Sequence, residues 1–302
     1  MEQAKRVVAL GFFDGVHLGH GALLSLCAQR AKELGAIPAA FTFDLHPSAL
    51  IPGKEPVPLL TTPSDRTGLM KRCYGIQEVA VAHYDQRMMT TPWRDFVTEF
   101  LVKELGAVHL VAGHDFHFGY KGEGDPERLK ALCADLGLGC DIVPKVEKEG
   151  VTISSTYIRS LLSEGNMDRA MEFLGHPHVL TATVQHGKRL GSRLGFPTAN
   201  LTFPAGLLVP ARGVYVTRAV LESGESYPAV TNVGVRPTVA DGETLTAEPF
   251  LLDFQGDLYG QELRVEFYSF LRPERKFGSL EELRAMVLHN ADQTRDYFAE
   301  NP

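Results

Sequence analysis

Two histidines three residues apart, His17 and His20, lie in a glycine-rich stretch of the chain. The stretch GFFDGVHLGH, residues 11–20, follows the apolar run RVVAL and precedes a segment with helical periodicity. A glycine-rich turn that leads into a helix exposes backbone N–H groups and the positive end of the helix dipole, which together bind anions. Both imidazoles would then donate to a phosphate during its transfer, and Gly19 would let the backbone approach the ligand. Taken alone, the pair is also compatible with metal ligands, a nucleophile and its base, or two solvated polar residues.

A second stretch strengthens the phosphate hypothesis. ISSTYIRSLL, residues 153–162, offers Ser154, Ser155 and Thr156 as caps of a new helix and puts Arg159 in its first turn. A cation there opposes the helix dipole by about 0.3–1 kcal/mol, and a phosphate held at the same helix end would reverse that penalty. The alternative is a surface arginine that points into solvent. The sequence contains neither G-x-x-x-x-G-K-[ST] nor G-x-G-x-x-G, so a P-loop and a standard dinucleotide fold are excluded.

The elements that must position these residues follow one pattern from Arg6 to about Leu174. Short apolar runs alternate with helical patterns, which predicts βαβ units and a mostly parallel sheet with helices on both faces. One predicted helix begins at Pro92, with Thr91 as its cap and Gly106 at its end. Its apolar stripe, which we expect to lie in the core, consists of Trp93, Phe96, Val97, Phe100 and Leu101.

After about Gly175 the helical period is replaced by short β-rich runs that are separated by Gly, Pro, Asp and Ser. This pattern predicts a small antiparallel sheet or barrel, closed by one helix with Ser279 and Glu282 in a capping-box arrangement. We place the boundary within residues 174–180. The predicted domains are therefore residues 1–177 and 178–302.

Composition restricts the class of protein. The 302 residues are 44% hydrophobic and 22% charged with a formal net charge of −7, and no basic block is present, which argues against a nucleic-acid partner. The four scattered cysteines have no CxxC spacing, which indicates reduced thiols. No segment has the pattern of a signal peptide or a membrane span, so we expect a cytoplasmic protein without a membrane partner. The oligomeric state is left undetermined.

Two sets of motifs, in order over nearly the whole chain, resemble one known family. GFFDGVHLGH and ISSTYIR resemble the nucleotidyltransferase half of the bacterial bifunctional riboflavin kinase/FMN adenylyltransferase (FAD synthetase) family. GSRLGFPTANL, GVYVT, TNVGVRPTV, DLYG and LRPERKFGSLEEL resemble its riboflavin kinase half. The resemblance implies a Rossmann-like α/β nucleotidyltransferase domain of the HxGH type, followed by the small β-barrel. It also implies riboflavin, FMN and ATP as small-molecule substrates, Mg²⁺ as cofactor, and FMN and FAD as products rather than fixed prosthetic groups.

For adenylyl transfer, the attacking FMN phosphate oxygen is already ionised, so alignment and charge neutralisation matter more than a base. We expect His17, His20 and Arg159 to be catalytic. The nucleotide contacts are expected at Gly11, Phe13, Asp14, Gly15, Gly19, Ser154, Ser155, Thr156 and Asp115. The resemblance further implies that residues 42–48 and 113–119 line the cleft, with flavin contacts at His46, Pro47, Ser48 and Phe118. Many relatives have Asn at Asp115 and Pro at Leu45, so these two positions depart from the family pattern.

For the kinase reaction, the ribityl hydroxyl is neutral and must lose its proton, which a positioned carboxylate assists. Glu248 lies in a strand-like apolar run and aligns with the family's catalytic glutamate. Thr198 and Asn200 are two residues apart, so in an extended backbone both side chains face one side and suit Mg²⁺. Many relatives carry Ser or Thr and then His after the glutamate, where this chain has Pro249 and Phe250. Pro249 still favours extended geometry at Glu248.

Two glycine-containing loops are expected to border the kinase site. Flavin contacts are predicted at Gly234, Pro237 and Thr238, and the run at residues 186–195 is predicted to cover ATP phosphates through Gly187, Lys188, Gly191 and Gly195. The sequence does not distinguish Lys188 from Arg193 as the ATP contact. Two alternatives stay open: a chain that retains one of the two activities, and a flavin-binding regulator without catalysis. The intact set of candidate catalytic and metal residues argues against the regulator.

Overall fold

The computed structural model describes residues 3–50, 53, 55–186, 196–237 and 243–301. Within these ranges the side chains of residues 47, 50, 236, 237 and 243 are left undescribed. The contacts divide the chain into two compact units, residues 1–155 and residues 156–302.

The first unit is built on a five-stranded parallel sheet with the order β3-β2-β1-β4-β5. Its strands are β1 (Arg6–Leu10), β2 (Ile37–Phe43), β3 (Glu78–Ala82), β4 (Ala107–Gly113) and β5 (Gly139–Val143). Val8 on the central strand pairs with Ala39 and Leu110 on its two neighbours, and all three side chains are buried. A continuous apolar run on the central strand is typical of a parallel sheet that is covered on both faces. The predicted α/β parallel sheet is confirmed.

Helices connect these strands. They are α1 (Leu18–Leu34), α2 (Pro63–Tyr74), α3 (Gln86–Thr90), α4 (Trp93–Asp95), which continues into a π-helical segment (Phe96–Glu104), and α5 (Pro126–Leu136). Short 3₁₀ turns lie at Asp14–Val16, Pro47–Leu50 and Tyr120–Gly122, and a hairpin of β6 (Glu147–Lys148) and β7 (Val151–Thr152) follows β5. The local sequence determines where helix α2 begins and ends. At its start, the Thr62 hydroxyl accepts from the Asp65 N–H at 3.0 Å and Pro63 is the first helical residue. At its end, Gly75 adopts a positive φ of 67°.

The helix predicted from Pro92 is present, but its cap and its type differ from the prediction. Pro92 itself is the N-cap residue, and the Thr91 hydroxyl instead donates to the carbonyl of Arg87 at 2.9 Å. A turn of a π-helix contains more residues than a turn of an α-helix. The side chains that share one face of this segment are therefore farther apart in the sequence. Phe96 and Leu101 nevertheless lie in the core, as the apolar stripe predicts.

The second unit contains α6 (Ser155–Ser163), apart from its first residue, and α7 (Met167–Leu174), followed by a six-stranded antiparallel sheet. The order is β8-β13-β10-β11-β12-β9, with β8 (His178–Thr183), β9 (Leu201–Thr202), β10 (Gly213–Leu221), β11 (Ser226–Pro237), β12 (Glu243–Leu251) and β13 (Glu262–Pro273). The two ends of the sheet meet where the Gln185 N–H donates to the Asn200 carbonyl at 2.9 Å. The predicted antiparallel barrel is therefore present and nearly closed.

Helix α6 packs against the barrel of the same unit. The Ala211 N–H donates to the Leu162 carbonyl at 2.9 Å, and Gly165, which follows the helix, lies against Ala211 and Phe270. The domain boundary that we predicted between residues 177 and 178, from the change in sequence pattern, stays a prediction.

Helix α8 (Leu280–Glu300) ends the described chain, with Ser279 as its cap. The Ser279 hydroxyl accepts from the Glu282 N–H at 3.1 Å, as the capping-box pattern predicts. The Glu282 carboxylate accepts from the Gly278 N–H at 2.9 Å, which stabilises the residue before the cap. Of the described helices, none is both long enough and apolar enough to cross a membrane.

Candidate active sites

The first candidate site lies where the strand order of the parallel sheet reverses. Strands β1 and β4 are neighbours, and the chain leaves them toward opposite sides of the sheet because β2 flanks β1 and β5 flanks β4. In open α/β sheets, ligands bind in the crevice outside the carboxyl ends of such strands. The glycine-rich stretch after Leu10 and the loop after Gly113 both lie at this edge.

The turn after β1 has an unusual backbone. Phe13, Gly15 and Val16 have positive φ values of 56°, 78° and 43°. For a β-branched residue such as Val16 the left-handed region is an outlier that costs on the order of 1–3 kcal/mol. Strain of this kind persists only where the surroundings hold it, and it is concentrated at functional sites.

Hydrogen bonds to Asp14 keep the turn in this conformation. Its carboxylate is almost fully buried and accepts from the Leu60 N–H at 2.9 Å and from the Thr61 N–H at 3.1 Å. The Thr61 hydroxyl in turn accepts from the Gly15 N–H at 3.1 Å. The Asp14 carboxylate, which we predicted to contact the nucleotide, therefore anchors the strained turn to the segment that precedes α2.

His17 and His20 lie together, and His17 is the cap of α1. Its Nδ1 accepts from the His20 N–H at 3.2 Å, so the neutral His17 ring carries its proton on Nε2. The two rings stack with their centroids 3.6 Å apart and an interplanar angle of 11°. Burial, then the neighbouring His17, then Arg66 hold the pKa of His20 well below its ordinary value, so His20 is neutral at pH 7. The pair offers N–H donors rather than two positive charges.

Gly19 lies against the ring of His17. A Cβ at this position would lie 3.1 Å from both Nδ1 and Cε1 of His17, which is tighter than nearly all real contacts. Gly19 therefore makes room for the His17 ring, and its predicted contact with the nucleotide stays a prediction. Gly11 is similar, because a Cβ there would lie 3.0 Å from the Phe13 ring.

Ser155, the last residue of the first unit, is hydrogen-bonded to the same turn. The Ser155 hydroxyl donates to the Asp14 carbonyl at 3.0 Å, and the adjacent Ser154 is half-buried. Thr156 and Arg159 follow on α6 and belong to the second unit, where Thr156 is exposed and Arg159 is half-buried. Their predicted contacts with a nucleotide stay predictions.

The loop after β2 carries the predicted flavin contacts His46, Pro47 and Ser48. The His46 Nδ1 lies 2.6 Å from the Ser48 hydroxyl, and its ring meets the edge of Phe12 with the centroids 4.9 Å apart. Pro47 opens the 3₁₀ turn that follows. This loop thus lies beside the turn after β1, as the parallel pairing of β1 and β2 requires.

The loop after β4 divides into an exposed and a buried part. Asp115 is exposed, with its carboxylate 3.9 Å from the His114 Nδ1. Phe118 is buried in the core of the first unit, and Phe116, which stacks on it with centroids 5.2 Å apart, is half-buried. Of these two rings, Phe116 is therefore the one with surface available to a ligand.

Sequence reasoning missed Arg66, which lies in the first turn of α2 and is fully buried. The signal that could have found it is the one that singled out Arg159, a cation in the first turn of a helix. Its neighbours come from three separate segments, which the sequence does not bring together.

The second candidate site is a cavity of about 280 Å³ in the second unit. One row of paired residues crosses the sheet beneath it, because Glu248 pairs with Asn232, Asn232 with Val214, and Val214 with Arg272. All four line the cavity. Residues directly paired across a sheet share a face, so the register delivers Glu248 to the same cavity as Arg272.

The opposite wall of this cavity comes from α8 and the segment before it. Leu283, Val287 and Asn290 follow helical spacing along α8, and the Asn290 Oδ1 accepts from the Arg272 Nε at 3.1 Å. Phe277 lies under the guanidinium of Arg275, whose Cζ is 4.8 Å from the ring centroid. Phe250, one of the positions where this chain departs from its relatives, adds a second ring. Aromatic and apolar walls with a few polar groups are typical of a site for a planar ligand.

Thr198 lines this cavity and a second one of about 390 Å³, which is bordered by residues 254–259. Asn200 is buried at the closure of the barrel, and the Ala199 N–H donates to the Pro249 carbonyl at 2.9 Å. In the described residues neither the Thr198 hydroxyl nor the Asn200 amide has a hydrogen-bond partner. Within the described ranges, no group of three or more His, Cys, Asp or Glu residues is arranged to hold a metal ion.

The remaining predicted kinase residues divide by whether the structure describes them. Gly234 on β11 is buried, and a Cβ there would lie 2.4 Å from the Glu274 Oε1, so a larger residue would displace the end of that exposed side chain. Pro237 is the last residue of β11, paired with Glu243. The predicted contacts at Gly187, Lys188, Gly191, Gly195 and Thr238, together with Arg193, lie outside the described residues.

Comparison with known protein families gives two matches, one in each half of the chain. Residues 1–157 match the family model described as FAD synthetase, and residues 174–298 match the one described as riboflavin kinase. The bifunctional riboflavin kinase/FMN adenylyltransferase of Listeria monocytogenes is 37% identical over 97% of this chain and 93% of its own length. The protein of the same name from Bacillus subtilis is 35% identical over 99% and 94%.

A solved structure also matches nearly the whole chain. The crystal structure of a Streptococcus pneumoniae protein described as a macrolide-efflux protein has a TM-score of 0.84 at 29% identity, over 98% of this chain and 95% of that one. The function in that description is at variance with the two family models and with the curated relatives, which agree with one another.

Proposed function

Because the chain belongs to the bifunctional riboflavin kinase/FMN adenylyltransferase family, we propose that its two candidate sites divide the family's two reactions between them. The enzyme phosphorylates riboflavin to FMN and adenylylates FMN to FAD, with ATP as a substrate of both reactions. We assign adenylyl transfer to residues 1–177 and the kinase reaction to residues 178–302. We also assign the enzyme to the cytoplasm, because its four cysteines are free thiols, the state that a reducing compartment maintains.

In adenylyl transfer, an FMN phosphate oxygen attacks the α-phosphorus of ATP, and pyrophosphate leaves. His17, held in the Nε2–H tautomer by its cap bond, donates to a phosphate oxygen at the start of α1. His20 stacks on it and contributes a second neutral imidazole. Arg159 adds a permanent positive charge from α6. The protein thereby neutralises and aligns charged groups without a general base.

In the kinase reaction, the terminal ribityl oxygen attacks the γ-phosphorus of ATP, and ADP leaves. The Glu248 carboxylate accepts the proton that the hydroxyl loses, so the oxygen becomes nucleophilic as the new P–O bond forms. The flavin rings occupy the cavity between the sheet and α8, near Phe250 and Phe277. The ATP phosphates lie toward the second cavity, bordered by residues 254–259.

The chemistry of Thr198 and Asn200 fits a magnesium ion that arrives with ATP. A hydroxyl and an amide carbonyl are hard neutral ligands, and neither has another partner in the described residues. When bound, the ion offsets the negative charge of the transferred phosphoryl group. The two side chains themselves orient the phosphates and contribute no charge.

One observation carries the assignment of the kinase site: Thr198 borders both cavities, and Glu248 lines one of them. A base for the hydroxyl and a group for the phosphates therefore lie at the junction of a flavin-sized cavity and a second cavity. Phosphoryl transfer between two substrates requires such a junction.

The assignment is tested by separating the two reactions in the full-length chain. Glu248→Gln keeps the shape of the side chain and removes the base, so we expect FMN formation to fall by about 10²–10⁴-fold while FAD still forms from supplied FMN. His17→Ala combined with His20→Ala should produce the opposite pattern. Chromatography of FMN and FAD over time measures both. Loss of both activities in either variant, with folding intact, would refute the division of labour.

A further inference from the structure

Arg66 is buried beneath the strand ends that form the adenylyl-transfer site, and the mechanism above leaves it without a role. Its side chain has no exposed surface, and by residue volume it ranks first among the fully buried side chains. It lies in the first turn of α2, where a positive charge opposes the helix dipole. A charge that is unfavourable both in its burial and in its helix position requires an explanation.

The guanidinium connects three separate segments. Its Nη1 donates to the Thr42 hydroxyl at 3.2 Å and to the Phe43 carbonyl at 2.9 Å, and its Nη2 lies 3.5 Å from the Thr61 carbonyl. The Thr42 hydroxyl in turn donates to the Phe12 carbonyl at 2.8 Å. Arg66 therefore links the end of β2, the turn after β1 and the segment that precedes α2.

A stacking contact extends this link toward the predicted flavin loop. The Arg66 Cζ lies 4.1 Å from the centroid of the Phe12 ring, within the range of a cation–π interaction. The same ring meets His46 with the centroids 4.9 Å apart. Phe12 is thus held between the buried guanidinium and a residue that we expect to contact flavin.

The charge of Arg66 is only partly compensated. Burial lowers the pKa of Arg66 to about 10, so the group stays charged at neutral pH. Asp14 and Asp44 stabilise that charge, but both carboxylates are hydrogen-bonded to other groups. The Arg66 Nε has no hydrogen-bond partner among the described residues. Positive potential therefore remains around Arg66, and it extends as far as His20, whose protonation it disfavours.

We propose that Arg66 is a positioning residue of the adenylyl-transfer site: it fixes the turn after β1 and adds a positive charge beneath the phosphate oxygens that His17 and His20 bind. The inference rests on the proposed function of those two histidines. In a buried, low-dielectric environment a fixed charge acts on a nearby anion more strongly than it would in water. Because Arg66 has no exposed surface, it acts through Phe12 and through its field, without touching substrate.

Two substitutions separate charge from packing. Arg66→Met keeps an apolar stem and removes the charge with its hydrogen bonds, whereas Arg66→Lys restores the charge alone. We expect kcat/KM for FAD formation from FMN and ATP to fall by about 10- to 100-fold in Arg66→Met and to recover by about tenfold in Arg66→Lys. Riboflavin phosphorylation by the same chain should be unchanged. Arg72→Met is the matched control, since it removes one charge from an exposed position on the same helix.

Folding is followed independently of activity. Trp93 is the one tryptophan of the chain and lies in the first unit, so its fluorescence reports the folding of that unit. FAD formation by Arg66→Met within about twofold of the parent enzyme would overturn the inference. The inference would also be overturned if Arg66→Lys formed FAD no faster than Arg66→Met, or if both variants lost the native Trp93 fluorescence. Either result would show that Arg66 has only a structural role. If the His17 and His20 variants still make FAD, the proposed function fails instead.

Discussion

At the scale of single residues, the candidate adenylyl-transfer site is organised around the ring of His17. Asp14 anchors the strained turn before it, Gly19 leaves space beside it, and the His20 N–H fixes its tautomer. Each contact determines where the Nε2–H donor points. Asp14, Gly19 and His20 thus all contribute to the placement of one imidazole, which is a common use of the residues around a catalytic group.

Gly19→Ala tests this placement with one methyl group. The new Cβ would lie 3.1 Å from two atoms of the His17 ring, so the ring must move. We expect FAD formation to fall by about 10- to 100-fold, because displacement of a donor by part of an ångström removes much of its effect. Riboflavin phosphorylation should be unchanged.

Gly68→Ala is the matched control for this variant. It makes the same change inside a helix, where the nearest atom is the flexible end of Arg72, and it should raise stability by about 0.5–1 kcal/mol without loss of either activity. Equal FAD formation by Gly19→Ala and Gly68→Ala would show that the fit of the His17 ring is not critical.

Sequence reasoning at this scale brings together residues that are near neighbours in the chain. His17 and His20 are three residues apart, and a cap bond and a ring stack both operate over that spacing. Arg66 carries the local signal of a cation in the first turn of a helix, but its contacts with Phe12, Thr42 and Thr61 depend on how β1, β2 and α2 assemble. The sequence alone does not show those contacts.

At the scale of elements, strand register brings the kinase residues together. The alternation of apolar residues predicts that Glu248 lies in a strand, and it does. It does not predict that Asn232 is opposite Glu248, or that Val214 and Arg272 continue the row. Register is set by the hydrogen bonds of all the paired strands, and a shift of one residue would turn Glu248 to the other face.

Helix α8 completes the same cavity, so its cap should influence riboflavin binding. Ser279→Ala removes the acceptor of the Glu282 N–H, and we expect the unfolding free energy of the second unit to fall by about 0.5–2 kcal/mol. Because Leu283 and Val287 lie one to two turns from the cap and line the cavity, fraying of α8 should also raise the KM for riboflavin. Calorimetry and kinase kinetics measure the two effects.

Ser279→Asp is the control for the cap, since an aspartate at this position also accepts from the backbone and suits the positive end of the helix. It should retain both the stability and the KM of the parent enzyme. If the alanine and aspartate variants behave alike, the cap does not determine the shape of the cavity.

At the scale of the whole molecule, the change in sequence pattern near Gly175 predicts two architectures, and the structure has both. The helices between the two patterns are harder to assign. Helices α6 and α7 have the helical period of the first half, yet their contacts group them with the second unit. Periodicity identifies an element but not the sheet that it packs against, because that depends on contacts distant in sequence.

The stability of the second unit should depend on pH through a buried histidine. His178, on β8 of the second unit, is fully buried, and its Nε2 has no hydrogen-bond partner among the described residues. Burial, with a smaller contribution from His176, lowers the pKa of His178 to about 4. In the unfolded chain this pKa returns to about 6.5, so between these values the unfolded state binds more protons and stability falls as the pH falls.

From this difference in pKa, lowering the pH from 7.5 to 5 should cost the second unit about 2 kcal/mol of unfolding free energy through His178 alone. His178→Leu, which fills a similar volume beside Phe267, should remove that part of the pH dependence. Calorimetry of the full chain at several pH values measures it, while Trp93 fluorescence identifies the transition of the first unit. The first unit is an internal control: His20 gives it an acid sensitivity of its own, which His178→Leu should leave intact. If the second unit of the parent enzyme and that of His178→Leu lose stability in parallel as the pH falls, another group of this unit takes up the proton and the prediction fails.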